Sequence, residues 1–166
     1  MEGKLVQRAD KVAYYGVPGA SGGAVTYHRM KGFTDISTSK NPKEYSRQYV
    51  DEYFEETDVT GYSPSISYGF DQYVGDPVHA DLVKISDDEL LGQDAVRSIV
   101  MVDMSAELTD GKYAAIKRDF SVIPDSEGDS MDAYTYSGNM KVKGGKVAGQ
   151  ATITDDTLTF TESEGN

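Results

Sequence analysis

The stretch Tyr62-Ser63-Pro64-Ser65-Ile66-Ser67-Tyr68-Gly69-Phe70-Asp71-Gln72-Tyr73 decides the fold class. Tyr62, Ile66, Tyr68 and Phe70 fall on one face of an extended chain, and Ser63, Ser65, Ser67, Gly69 and Asp71 fall on the other. Side chains alternate across a strand with a period of two, so this is a strand with one packed face and one small, polar face. Pro64 lacks an amide donor and fits a strand start or an edge. A smooth face of short polar side chains suits either plain solvent or a wall past which something long moves. The long Lys and Arg side chains that would grip a phosphate backbone do not occur in it.

Residues 44–59, just upstream, mix charge with aromatic rings: Tyr45, Tyr49, Tyr53 and Phe54 lie among Arg47, Asp51, Glu52, Glu55, Glu56 and Asp58. A spacing of four lines a helix face, and because it is even it also puts the three Tyr on one face of a strand. The adjoining strand needs a partner, which favours a strand followed by an acidic turn and keeps the helix as the alternative. Downstream, Asp76 precedes Pro77, and Val78, Leu82 and Ile85 recur at helical spacing. A capping carboxylate, a Pro in the first helical position and an apolar stripe predict one short helix, suited to plugging an open edge or end of a sheet.

Residues 94–104 alternate Val96, Ser98, Val100, Val102 and Met104 against Arg97, Ile99, Met101 and Asp103, so both faces are partly apolar, as in a central or covered strand. Ile116, Phe120 and Val122 share one face over 112–123. Tyr134, Tyr136, Met140 and Val142 mark a strand over 131–142, and Gly144-Gly145 predicts a turn into 146–153, making those two a hairpin. Leu158 and Phe160 mark a last strand over 157–161, after which 162–166 reads as a frayed tail. The expected fold is mainly β: an antiparallel β-sandwich or barrel-like sheet of about seven to nine strands with one short flanking helix.

Charge is sorted along the chain. Residues 1–50 carry eight Lys or Arg against four Asp or Glu, whereas residues 51–166 carry eight against twenty-four, giving a net charge of −12. Such a chain repels its copies over most of its surface while offering a complementary patch for polar contact. The Gly-Val-Pro-Gly-Ala-Ser-Gly-Gly run at 16–23 is turn-rich and flexible, so residues 1–35 read as an inter-subunit arm ordered on assembly or a loosely packed segment of paired strands. The whole chain of 166 residues, this segment included, reads as a single domain, 1–166, long enough to hold its own core. Twelve Tyr, five Phe and no Trp favour half-buried strands and surfaces that become interfaces.

Chemistry is sparse. Cys is absent, which removes disulfides and thiolate metal sites. No apolar run long enough to span a membrane and no secretory leader is legible, so synthesis in the cytoplasm is expected. The glycines at 16–23 lack the spacing and the Gly-Lys-Ser/Thr ending of a phosphate loop. His28 and His79 are the sole imidazoles, and they read as surface or interface residues. No Gly-x-Ser-x-Gly elbow accompanies them. Asp125, Glu127, Asp129 and Asp132 surround Gly128, but the Gly precedes Asp129 and no closing Glu follows at calcium-loop spacing, which leaves a solvated hairpin loop as the favoured reading. No catalytic, cofactor-binding or metal-binding residue is assigned, and the expectation is a protein that is not an enzyme and needs no cofactor. Sixteen basic residues against twenty-eight acidic ones, without a basic-aromatic groove, argue against gripping nucleic acid.

Several segments, in order, resemble the major tail tube proteins of bacteriophages and prophages of Gram-positive bacteria. They are His28-Arg29-Met30-Lys31-Gly32-Phe33-Thr34, Ser39-Lys40-Asn41-Pro42-Lys43-Glu44-Tyr45, and Gly61-Tyr62-Ser63-Pro64-Ser65-Ile66 leading to Phe70-Asp71-Gln72-Tyr73. The resemblance continues through Asp87-Asp88-Glu89-Leu90-Leu91-Gly92, Phe120-Ser121-Val122-Ile123-Pro124-Asp125-Ser126-Glu127-Gly128-Asp129 and Tyr134-Thr135-Tyr136-Ser137-Gly138-Asn139. Together they cover most of residues 1–155.

The resemblance implies a structural virion protein of the tail tube type, in which hexameric rings stack into a hollow tube that passes double-stranded DNA during ejection. Expected partners are further copies of the chain, a tape measure protein, a tail terminator and distal tail or baseplate proteins, with no membrane; the expected location is the virion tail. Ser63, Ser65 and Ser67 become candidates for the lumen face. Tyr14, Tyr15, Tyr27, Lys40, Lys43 and Arg47 become candidates for inter-ring contacts. A weakly polar or acidic lumen would let DNA slide without the affinity that a basic wall creates. Another virion assembly component, such as a head-tail connector, tail terminator or capsid decoration protein, is the alternative.

Overall fold

The computed structural model describes residues 3–109 and 111–163. Eleven strands and one helix follow in the order β1 (Lys11–Val17), β2 (Thr26–Arg29), β3 (Phe33–Ser39), β4 (Pro42–Arg47), β5 (Glu56–Tyr62), β6 (Ser65–Asp71), α1 (Pro77–Asp87), β7 (Val96–Thr109), β8 (Lys112–Glu127), β9 (Thr135–Val142), β10 (Val147–Thr154) and β11 (Thr157–Glu162). Nine strands form one antiparallel sheet in the order β10-β11-β2-β1-β7-β8-β9-β6-β3, and β10 also pairs with β8. That second pairing closes β10, β11, β2, β1, β7 and β8 into a six-stranded barrel. The fold is therefore mainly β and barrel-like, as expected, with a sheet of β8, β9, β6 and β3 extending from the barrel wall.

The length of β8 explains this shape. Its first half pairs with β10, from Lys112↔Thr152 to Lys117↔Val147, and its second half pairs with β9, from Phe120↔Val142 to Glu127↔Tyr136. Strands β9 and β10 thus lie end to end along one edge of β8 and do not form the hairpin expected from Gly144-Gly145. Arg118 Nε donates to the Gly144 carbonyl at 2.8 Å, and Lys143 N donates to the Asp119 carbonyl at 2.9 Å, so the interruption is pinned to β8. At this interruption the edge leaves the open sheet and curls into the barrel. The true hairpin is β10-β11, where Thr154 faces Thr157 and Asp155 adopts a φ of 55°.

Alternation sends neighbouring side chains into two cores. Tyr14, Val100, Val102, Ala115, Ala151 and Leu158 fill the barrel. Tyr15, Ile99, Phe120 and Val122 point outward from the same strands and meet Ile66, Tyr68, Phe70, Tyr136 and Met140 of the extended sheet beneath α1. Val78, Leu82 and Ile85 are the apolar stripe that α1 buries there, at about 1.5–3 kcal/mol for each fully buried side chain. Asp76 caps the helix as expected, accepting from Val78 N at 2.9 Å and His79 N at 3.2 Å. Phe120 and Val122 are buried, but Ile116 on the same face is 42% exposed.

Other expectations change. Residues 11–17 are no loosely packed arm: β1 sits between β2 and β7, and Tyr14 and Tyr15 are 2% and 0% exposed. The polar run at 44–59 contains the ends of β4 and β5, which pair with each other and not with β6. Glu162 belongs to β11 and faces Gly149, so the tail does not fray from that residue; residues 164–166 lie outside the described residues. His79 is not a surface residue but 1% exposed, where Nδ1 accepts from Tyr73 N at 3.0 Å and Nε2 donates to the Lys31 carbonyl at 2.6 Å. Those partners fix the ring and make it a tie between the β6–α1 connection, α1 and the β2–β3 connection.

Candidate assembly surfaces

The four-stranded extension has one face under α1 and one face open. Cross-strand rows on the open face read Ser39-Ser65-Lys141, Ser37-Ser67-Asn139 and Asp35-Gly69-Ser137. Their hydroxyls are mostly engaged. Asp35 accepts from Ser37 Oγ at 2.6 Å and Ser67 Oγ at 2.8 Å, Asn41 Nδ2 donates to Ser65 Oγ at 3.1 Å, and the Ser126 and Ser137 hydroxyls are 2.7 Å apart. Two donated hydroxyl protons hold the Asp35 carboxyl below its usual range. The surface is smooth, short and hydrogen-bonded within itself. Ser65 and Ser67 share it, whereas Ser63 lies before the strand, its amide donating to the Lys40 and Asn41 carbonyls at 3.2 and 3.3 Å.

Strands β4 and β5 form a separate two-stranded arm joined to the body where β3 ends and β6 begins. Its sequence buries nothing: Tyr45, Tyr49, Val50, Val59 and Tyr62 are exposed, and Tyr53 and Phe54 in the connecting turn are 94% and 82% exposed. Within the arm, Arg47 ion-pairs with Asp58 and, at 3.5 Å, with Glu56, and its guanidinium lies 5.2 Å from the Tyr45 ring and 5.9 Å from the Tyr49 ring. Two-stranded ribbons are marginal in isolation, so an arm carrying this much bare aromatic surface is built to be covered.

The six residues expected at inter-ring contacts divide accordingly. Tyr14 and Tyr15 have no surface to offer, being consumed by the two cores. Tyr27 is half-buried, with its hydroxyl 3.2 Å from that of Ser98. The charge of Arg47 is already matched inside the arm, while Lys43 and Lys40 are exposed on the arm and at its root. The structure thus moves the projecting element from residues 1–35 to residues 42–62. Aromatic residues at 45, 49, 53 and 54 without a polar-apolar alternation that any core would need were the signal in the sequence.

The main sheet also leaves edges open among the described residues. Strand β3 ends the nine-stranded sheet, and residues 122–127 of β8 pair with β9 on one side but lie beyond Val96↔Ser121, where pairing with β7 begins on the other. Among the described residues no group of three or more His, Asp or Glu side chains is placed to hold a metal ion. Among the described residues no helix is long and apolar enough to cross a membrane.

No protein-family model matches the chain, and no curated protein matches it in sequence. Its fold is similar to that of a chain in the cryo-EM structure of the anti-feeding prophage baseplate, 6-fold symmetrised, with a TM-score of 0.53 and 9% sequence identity over 89% of this chain and 97% of that one. The likeness extends across both the barrel and its surroundings, so the shared architecture is that of the whole domain.

Proposed function

We propose that this protein is a non-catalytic structural subunit of a phage-type tail, forming hexameric rings that stack into the hollow tube through which double-stranded DNA passes. The observation that carries this reading is the β4–β5 arm, whose aromatic residues have no cover among the described residues. The open edges of β3 and outer β8 support it, because head-to-tail pairing of unlike edges around a symmetry axis closes a ring and removes an aggregation hazard. The open face of Ser65, Ser67, Ser37 and Asn139 supplies a surface of short polar side chains suited to a lumen. Tape measure, terminator and distal tail proteins are the partners such a tube would meet, and the virion tail is its location.

The similarity to a baseplate chain favours one second reading, a baseplate component in a single ring. Negative-stain electron microscopy of the purified chain separates the two. Long hollow tubes are expected for a tube subunit, isolated rings for a baseplate ring, and a uniformly monomeric preparation would remove both.

A further inference from the structure

The extended sheet carries opposite charges at its two ends. Its strands are antiparallel, yet each contributes a base to the same end or an acid to the other. Strand β3 runs from Asp35 towards Lys40, β6 from Ser65 to Asp71, β9 from the turn holding Asp129 to Lys141 and Lys143, and β8 from Lys117 and Arg118 to Asp125 and Glu127. Register places Asp71 beside Thr135, next to the Tyr136↔Glu127 pair, and places Ser39, Ser65, Lys141 and Ser121 in line at the opposite end. Six residues separate Ser65 from Asp71, so the two ends are about 20 Å apart at roughly 3.3 Å per residue.

Among the described residues, Lys40, Arg118, Lys141, Lys143 and Lys146 make no ion pair, while Lys117 turns to the barrel side with its ammonium 5.5 Å from the Phe160 ring. Lys40, Arg118 and Lys146 converge on one cleft of about 410 Å³ with Tyr62 and Pro64. Asp119 also lies at this end, where its carbonyl accepts from Lys143 N. The acidic end gathers Asp125, Glu127 and Glu89 around a second cleft with Ile85, Leu90 and Leu91. In a chain of net charge −12, five unpaired cations grouped at one end give the sheet a charge direction that an assembly can use.

We propose that copies of this protein join end to end through this sorting, the cationic end of one sheet receiving the acidic end of the next. The inference rests on the tail-subunit reading and adds to it the polarity of stacking. A contact between two unlike ends is heterologous, so it propagates in one direction, and turning one copy around would set like charges against each other.

Charge reversal tests it with the full chain. Lys141→Glu, Lys143→Glu and Lys146→Glu together make both ends acidic; Asp125→Lys, Glu127→Lys and Asp129→Lys together make both ends basic. Circular dichroism and thermal melting establish that each triple variant folds. Each alone is expected to lose assembly by at least about tenfold in the sedimenting fraction at low salt, since opposed like charges cost several kcal/mol, and an equal mixture of the two is expected to restore it. Assembly of either folded variant at the wild-type level overturns the proposal while leaving the tail-subunit reading standing. Rescue of the lysine-reversed variant by copies carrying Asp51→Lys, Glu52→Lys and Glu55→Lys, and not by the Asp125 set, also overturns it and assigns the cationic end to the arm turn. A wild-type chain that stays monomeric at every salt concentration overturns the tail-subunit reading itself and end-to-end joining with it.

Discussion

Arg97 on β7 donates through Nε to Oδ2 of Asp81 on α1 at 2.8 Å, and both side chains are 10% exposed. The Tyr15 hydroxyl of β1 donates to the same oxygen, and Arg97 Nη1 also reaches the Asp94 and Val96 carbonyls at 2.8 Å. The helix is thereby tied to two barrel strands as well as packed on them. Breaking a buried pair leaves an uncompensated charge, so Arg97→Ala is expected to destabilise the fold by about 3–5 kcal/mol. The double variant Arg97→Met with Asp81→Leu should recover a large part of that loss, as read from urea midpoints.

Alkaline pH should unfold the protein through its buried tyrosines. Burial, and secondarily the Asp81 carboxylate, pushes the Tyr15 hydroxyl well above 10.0; burial, with the Asp125 charge behind it, pushes Tyr68 to about 12. A folded pKa above the unfolded one means the folded state holds its proton longer, so this stability is complete below pH 10 and declines as pH rises towards 12. Melting temperatures between pH 9 and 12 should fall steeply, and Tyr68→Phe should fall less steeply than wild type over that window.

Acid acts on a different tie. Asp103 on β7 is held at about 2, first by the proton donated from Lys11 on β1 and then by that of Ser105. A lowered carboxylate pKa contributes stability above the unfolded value of 3.8 that is lost as pH falls towards 2. Asp103→Asn should therefore flatten the acid limb of a pH-melting profile while leaving its alkaline limb unchanged.

Gly138 marks where β9 crosses the Pro124–Ser126 irregularity of β8. A Cβ there would lie 2.5 Å from the Ile123 carbonyl oxygen and 2.9 Å from the Pro124 Cα, both backbone atoms that cannot swing aside. Gly138→Ala should cost about 1–3 kcal/mol through this overpacking, seen as a lower urea midpoint. Gly145→Ala, with open space around it, should change the midpoint far less.

Removing the arm's apolar surface should separate folding from assembly. Tyr53→Ser with Phe54→Ser touches residues that no core uses, so the change in monomer stability should stay within about 0.5 kcal/mol. Sedimentation and electron microscopy of the same variant should show assembly sharply reduced.

Local features were legible in the chain because their causes are local. The alternation at 65–71 needs only a period of two to declare a packed face of Ile66, Tyr68 and Phe70, and Asp76-Pro77 announces a helix from caps that act within one turn. The partners of those elements were not legible. Gly144-Gly145 has the chemistry of a hairpin turn, but β8 is long enough to hold β9 and β10 in succession, and only the pairing of distant residues shows it. Tyr14 and Tyr15 looked available for contacts until strands on both sides of β1 closed over them. Charge makes the same point most sharply: along the chain it divides at residue 50, but antiparallel pairing folds the order back on itself and sorts acids from bases along the strand axis instead. Periodicity and capping belong to a segment and are set by its own residues. Register, closure and the direction of the charge separation belong to pairs of segments, which only the assembled sheet brings together.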